Sequence, residues 1–218
     1  MARVKSNYAQ NRRSAALAGG KKARTESFSR KVLSVVARAD PDELKYHDVQ
    51  TTIGTPISLA ANTLSMFVIN GVSQGNGETS RIGSKVNNRY LEVTVSMYQA
   101  SAATNANIRC FVIQDNANNG SSPGITDIFE ASSVYSSPNA NTKGRIKFLR
   151  DELTQVNGVN SVTTDAIKKW HIPLDKLALK QTQFDGSGGT VASIVKGAFY
   201  IGFLSDVAVS ASMASGTA

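Results

Sequence analysis

The residues whose types and spacing most resemble a catalytic site form a G-x-S-x-G sequence, Gly71-Val72-Ser73-Gln74-Gly75. Several aspartates and then His171 follow it, which is the chain order of a hydrolase triad. A nucleophile elbow also needs a helix directly after the serine, because the helix N-terminus must face the site. Here residues 76–80 continue a polar loop and a strand pattern follows. We therefore interpret Ser73 as a loop serine and predict that the chain is not an enzyme.

The sequence gives little support for a metal or a cofactor. Its two histidines and its one cysteine, Cys110, lie far apart in the chain, so they do not form the ligand set of a zinc site. Gly75-x-Gly77 lacks the third glycine and the helix of a dinucleotide site. Calcium bound between subunits remains an alternative, because carboxylates lie in predicted turns at Asp115, Asp127 and Asp151. These aspartates do not have the spacing of an EF-hand. We predict no metal, no cofactor, and a core position for Cys110.

The charge of the chain is concentrated at its N-terminus. The formal net charge is +8, and the 187 residues that follow residue 31 hold 15 basic and 15 acidic side chains. Residues 1–31 therefore carry the whole excess, as nine cations against the single acid Glu26. The nine are Arg3, Lys5, Arg12, Arg13, Lys21, Lys22, Arg24, Arg30 and Lys31. A neutral body with one cationic arm indicates that the arm meets a polyanion.

Such an arm is expected to bind nucleic acid without reading its sequence, since cations that contact phosphates carry no base information. Arg12-Arg13 and Lys21-Lys22-Ala23-Arg24 would also serve as a nuclear-import signal. A solvated tail and a mitochondrial presequence are the alternatives for this segment. No apolar run approaches the length of a membrane span, so we expect no membrane partner.

The stretch Asn70–Gln99 organises the rest of the chain. Leu91, Val93, Val95 and Met97 alternate with polar and aromatic residues, and this period of two predicts a half-buried strand. The phase changes at Asn87-Asn88, which predicts a bulge or bend before the main strand.

Further strand patterns fill most of the body. Residues 108–114 are apolar on both faces, which predicts a strand buried on both sides. From Val195 to Val209 polar and small residues dominate one parity, which predicts one long strand with a single core face. The residues of the core parity are Val195, Gly197, Phe199, Ile201, Phe203, Val207 and Val209. About eight strands, long connections and almost no helix predict an all-β, eight-stranded antiparallel jelly-roll sandwich. We place the basic arm, which we expect to be largely disordered or to form a short helix, at residues 1–39, and the jelly-roll domain at residues 40–218.

One motif adds a family resemblance. Gln74-Gly75-Asn76-Gly77, followed by Arg81-Ile82-Gly83, resembles the QG-x-G-x-x-x-RIG stretch of single jelly-roll capsid proteins from small circular single-stranded DNA viruses. The shell proteins of satellite tobacco necrosis virus and its RNA-virus relatives share the same plan of basic arm and jelly roll. The resemblance implies a coat protein that assembles into an icosahedral T=1 shell of roughly sixty copies around a single-stranded genome.

The resemblance also assigns roles and partners. It implies that Arg81 pairs across a loop or a subunit contact, and that Gly75, Gly77 and Gly83 are turn positions with positive φ. It favours single-stranded DNA over RNA as the genome, in a virion with access to the host nucleus, although phosphate-binding residues do not distinguish the two polymers. A non-viral β-sandwich protein that binds nucleic acid or carbohydrate is the alternative from another class.

Overall fold

The computed structural model describes residues 45–50, 57–98, 105–159, 162–163, 166–174 and 180–217. The side chains of residues 158–159, 162–163 and 210–217 are not described. These residues belong to one compact unit, which spans Lys45–Ala218. The predicted arm and the predicted domain boundary at residue 40 lie outside the described residues.

Strands dominate the described residues. The one α-helix among the described residues, α1, spans Ile125–Ile128, and no described helix is long and apolar enough to cross a membrane. Two short 3-10 turns lie at Ala140–Thr142 and Val191–Ser193. The strands are β1 His47–Gln50, β2 Ile57–Leu59, β3 Ser65–Val68, β4 Lys85–Asn87, β5 Tyr90–Tyr98, β6 Ala106–Asp115, β7 Ile146–Val156, β8 Gly158–Val159, β9 Val162–Thr163, β10 Ala166–Pro173, β11 Gln181–Phe184, β12 Ile194–Lys196, β13 Ala198–Ser205 and β14 Val209–Thr217.

Two antiparallel sheets form the sandwich. The first sheet has the order β1-β14-β5-β10, with β2 also paired to β14, and the second has the order β3-β13-β6-β7. Apart from β6 and β7, the neighbouring strands in each sheet are not consecutive in sequence, which is the Greek-key arrangement of a jelly roll. A small sheet, β12-β11-β4, and a hairpin of β8 and β9 are added to this frame. The all-β jelly-roll prediction is confirmed.

The central stretch folds as its pattern predicts. Leu91, Val93, Val95 and Met97 on β5 are all buried between the two sheets. The predicted phase change lies at Asn88, which separates β4 in the small sheet from β5 in the first sheet. The Asn88 side-chain amide donates to Thr182 Oγ1 at 2.8 Å and to the Lys180 carbonyl at 3.0 Å. The buried asparagine therefore fixes the bend where the chain changes sheets.

The second sheet is covered on both of its faces. One core lies between the sheets, and another lies on the outer face of the second sheet beneath the β6–β7 connection. In the outer core the Phe111 ring packs edge-on against Phe129, with centroids 5.1 Å apart. Gly202 on β13 makes room for this ring, because a Cβ at that position would lie 2.3 Å from Phe111 Cζ. The prediction that residues 108–114 are buried on both faces is confirmed.

The prediction of one long strand from Val195 to Val209 is wrong. The segment forms three strands, β12, β13 and β14, with a break at Gly197, whose φ is +73°. Val195 is 45% exposed, and β13 is buried on both faces rather than one. The outer core causes the difference, since it covers Tyr200 and the other residues of the parity that was expected to face solvent.

Candidate functional site

Arg81 of the glycine-rich motif anchors two loops of the same chain. Its side chain is buried, with a relative exposure of 3%, and its guanidinium lies over the Phe184 ring at 4.3 Å from the centroid. Nε donates to the Val72 carbonyl at 2.9 Å. The two terminal nitrogens donate to the carbonyls of Gly83, Gly186 and Gly188. The planar fork thus binds several backbone acceptors at once, which a lysine ammonium does not reproduce.

Backbone contacts complete the same connection between residues 71–84 and residues 185–190. Gln74 N donates to the Ser187 carbonyl at 2.9 Å. Gly71 and Gly189 approach so closely that a Cβ on Gly71 would lie 2.2 Å from the Gly189 oxygen. The motif therefore joins the β3–β4 connection to the β11–β12 connection, and this set of contacts is called here the clasp. Of the two roles that the resemblance implies for Arg81, these contacts describe the one across a loop.

The motif glycines differ from one another in conformation. Gly83 has a φ of +82°, so the expected left-handed turn is present there. Gly75 and Gly77 do not have positive φ, so that expectation is wrong for both. Gly75 is constrained by close packing instead, because a Cβ there would lie 3.0 Å from Ser80 Oγ.

Replacing Arg81→Lys should destabilise the chain by about 2–4 kcal/mol, because it leaves buried carbonyls without donors. Urea unfolding of the full chain at neutral pH measures the change. Arg150→Lys is the matched control, since Arg150 lies exposed on β7 and its replacement should stay within about 0.5 kcal/mol. Equal midpoints for the two variants would show that the clasp contributes nothing to stability.

Two of the three aspartates considered for calcium bind arginines. Asp115 accepts from Arg145 Nη2 at 2.8 Å, and Asp151 accepts from Arg109 through both carboxylate oxygens at 2.7 and 2.6 Å. Asp127 Oδ2 lies 4.0 Å from Arg145 Nη1 and accepts a hydrogen bond from Gly124 N at 2.9 Å. No cluster of three metal-ligating side chains lies within the described ranges.

Sequence reasoning missed the role of Arg109. The residue lies within the apolar run of β6, where a buried charge requires a partner. The structure supplies Asp151 and places the guanidinium over the Phe129 ring, 4.2 Å from its centroid. A lone arginine within the apolar run 108–113 was the available signal. The position of its partner depends on the pairing of β6 with β7.

The buried Tyr200 predicts that the stability of the body changes at alkaline pH. Burial raises the pKa of Tyr200 to about 12, and the nearby Asp115 carboxylate acts in the same direction. Its hydroxyl approaches Asn118, but the pair does not reach hydrogen-bond geometry. The unfolded chain releases this proton at a pKa of about 10. Folding stability should therefore fall as the pH rises from about 10 to about 12.

Tyr200→Phe should remove this contribution to the alkaline fall and leave the stability at pH 7 within about 1 kcal/mol of wild type. Tyr135→Phe, on an exposed loop, should retain the fall. Thermal melts of the full chain across this pH range compare the variants. An identical alkaline slope for wild type and Tyr200→Phe would contradict the assignment.

The residues of the hydrolase-like order occupy separate settings. Ser73 lies in the loop that contacts Ser187 and Gly189, and bends and turns follow it where a nucleophile elbow would have a helix. His171 lies on the exposed face of the first sheet, where Nδ1 is 3.3 Å from Glu92 Oε1 and the ring packs against Tyr90. Cys110 is buried in the core between the sheets, as predicted. The nine arm cations lie outside the described residues.

The sheet orders and the Greek-key connections define a jelly-roll sandwich, an architecture that viral capsid domains share with lectins and cupins. The sequence profile of the satellite tobacco necrosis virus coat protein family matches residues 19–217, so the chain belongs to that family. A comparison with curated proteins found no match. The chain is therefore a viral coat protein, a structural component of the virion.

Proposed function

We propose that this coat protein assembles into a T=1 icosahedral shell of about sixty copies and packages a single-stranded genome. Residues 40–218 form the wall, and residues 1–39 extend inward as the arm that binds the genome. The observation that supports the proposal is the separation of charge, since +8 lies within residues 1–31 and the rest of the chain is neutral. A neutral body lets copies approach one another without repulsion, while the arm attracts phosphate.

The arm charge is large enough to matter for packaging. Sixty arms of +8 each carry about 480 positive charges into the shell. They neutralise a comparable number of phosphates, and small cations balance the remainder. The binding residues are the nine arm cations, and binding is independent of base sequence because it uses the backbone alone.

The genome inside the proposed shell is either DNA or RNA. The glycine-rich motif resembles coat proteins of single-stranded DNA viruses, whereas the matched family is an RNA-virus coat protein. Both polymers present the same phosphate charge to the arm. If the genome is DNA, Arg12-Arg13 and the basic cluster at residues 21–24 direct the chain to the host nucleus through the import machinery.

Nuclease digestion tests the packaging proposal. Particles assembled from the full chain are purified, treated with nuclease on the outside, opened, and digested with a deoxyribonuclease or a ribonuclease. We expect protected nucleic acid that one of the two enzymes destroys, which also identifies the polymer. Particles without protected nucleic acid would overturn the packaging role.

A further inference from the structure

Residues 130–137 form a rigid loop, called here the serine loop, in the connection between β6 and β7. Glu130 N donates to the Ser137 carbonyl at 3.0 Å, Ser136 N donates to the Ser133 carbonyl at 3.0 Å, and Ala131 N donates to Ser136 Oγ at 2.8 Å. The Ser132 hydroxyl donates to the Asn62 carbonyl in the connection between β2 and β3. These bonds hold the loop together and tie it to the β2–β3 connection.

The Arg109–Asp151 pair also holds the serine loop in place. Arg109 Nη1 donates to the carbonyls of Val134 and Ser136, the two neighbours of Tyr135. Val134 is buried, whereas the Tyr135 side chain is 67% exposed. The structure therefore presents one large aromatic side chain on a preorganised loop, and little conformational entropy remains to be lost when a partner covers it.

A second exposed apolar side chain is linked to this loop through Arg109. Leu153 on β7 is the cross-strand partner of Arg109, so the two side chains project from the same face of the second sheet. Leu153 is 48% exposed. The two neighbours of Tyr135 bind Arg109, and Leu153 lies opposite Arg109 on the adjacent strand. These two exposed side chains, both linked to the partly buried Arg109–Asp151 pair, are called here the Tyr135–Leu153 patch. Tyrosine and arginine are enriched at the centres of protein interfaces.

The position of the patch in the fold indicates its partner. In the described part of the chain, β7 is the last strand of the second sheet, so Leu153 lies at a side of the sandwich. A closed shell one subunit thick brings copies together through their sides. Leu149 also forms a bulge in β7, opposite Val112 and Ile113, and a bulge disfavours uncontrolled pairing at a strand edge. Copies of the chain are therefore expected to associate at this edge through side-chain contacts rather than through backbone pairing of strands.

From these observations we infer that the Tyr135–Leu153 patch is a contact surface between copies of this chain in the shell. The inference rests on the proposed function, since it names the surface through which the wall closes. Tyr135 is the anchor, Leu153 extends the apolar area, and the Arg109–Asp151 pair keeps the loop in place for the neighbouring copy.

The test compares assembly of the full wild-type chain with Tyr135→Ala, with Tyr135→Ala combined with Leu153→Ser, and with the matched control Tyr135→Phe. Sedimentation measures the concentration at which particles form, and thermal melts confirm that each variant is folded. We expect Tyr135→Ala to raise this concentration by about tenfold or more, because loss of an interface anchor typically has an effect of that order. The double variant should raise it further, and Tyr135→Phe should assemble like wild type.

Each outcome bears on a different claim. Folded alanine and double variants that form particles at the wild-type concentration would overturn the contact surface while leaving the shell intact. Normal assembly with loss of infectivity would also overturn it, because the patch would then serve a host partner. A wild-type chain that forms no particles would overturn the proposed shell itself, and the inference with it.

Discussion

A chain that lacks residues 1–31 should fold and lose its salt-dependent retention of nucleic acid. The deletion removes nine cations and one acid, and with them the whole net charge of +8. Nine phosphate contacts on a single strand predict a slope of about −6 for the logarithm of the binding constant against the logarithm of salt concentration. The truncated body, with 15 basic and 15 acidic side chains, should show a slope near zero. Filter binding over a salt series measures both slopes.

The control for the deletion is a chain of full length in which the nine cations are replaced by glutamine. It keeps the arm and removes its charge, so it should behave as the deletion does if electrostatics carry the binding. Retention by the glutamine chain, together with loss in the deletion, would assign binding to the shape or aromatic residues of the arm. Unchanged retention by both chains would contradict the charge argument.

Ile201→Asp should prevent folding of the body. Ile201 is fully buried on β13, in the core between the sheets, and an ionised carboxylate there has no water to solvate it. The cost exceeds that of an ordinary point substitution and takes up much of the 5–15 kcal/mol by which domains are stable. Soluble yield and the presence of a cooperative thermal transition report the result.

Val195→Asp is the matched control for this substitution. The two residues share one parity in the sequence, but Val195 is 45% exposed on β12 and should accept a carboxylate with little loss. A cooperative Ile201→Asp variant that melts at the wild-type temperature would show that β13 does not lie in the core. Failure of both variants to fold would show that the break at Gly197 is placed wrongly.

The sequence predicts a strand well where local alternation alone decides burial. On β5 one face packs in the core and the other faces out, so Leu91 to Met97 were identified from their period. The sequence also predicts that β6 is buried on both faces, because its apolar residues occupy both parities. The charge asymmetry needed no structure at all.

The remaining features depend on contacts between residues that are distant in sequence. Both faces of β13 are buried, because residues of the β6–β7 connection pack in the outer core with Tyr200. The hydrophobic periodicity of β13 itself does not indicate that another segment covers its second face. Likewise, Arg81 was identified as a motif residue, but its acceptors at Gly186 and Gly188 come from another connection. The family resemblance implies positive φ for Gly75 and Gly77, whereas in the structure close packing against Ser80 constrains Gly75.

The mass of the particle in solution tests the central claim most directly, namely that a neutral body closes against copies of itself around nucleic acid held by the arm. Light scattering combined with ultraviolet absorbance on the purified full chain separates the protein mass from the nucleic-acid mass. The account predicts a closed particle of about sixty copies of the 23.2 kDa chain, near 1.4 MDa of protein, with nucleic acid included. A species of 23.2 kDa at all salt and protein concentrations, free of nucleic acid, would contradict it.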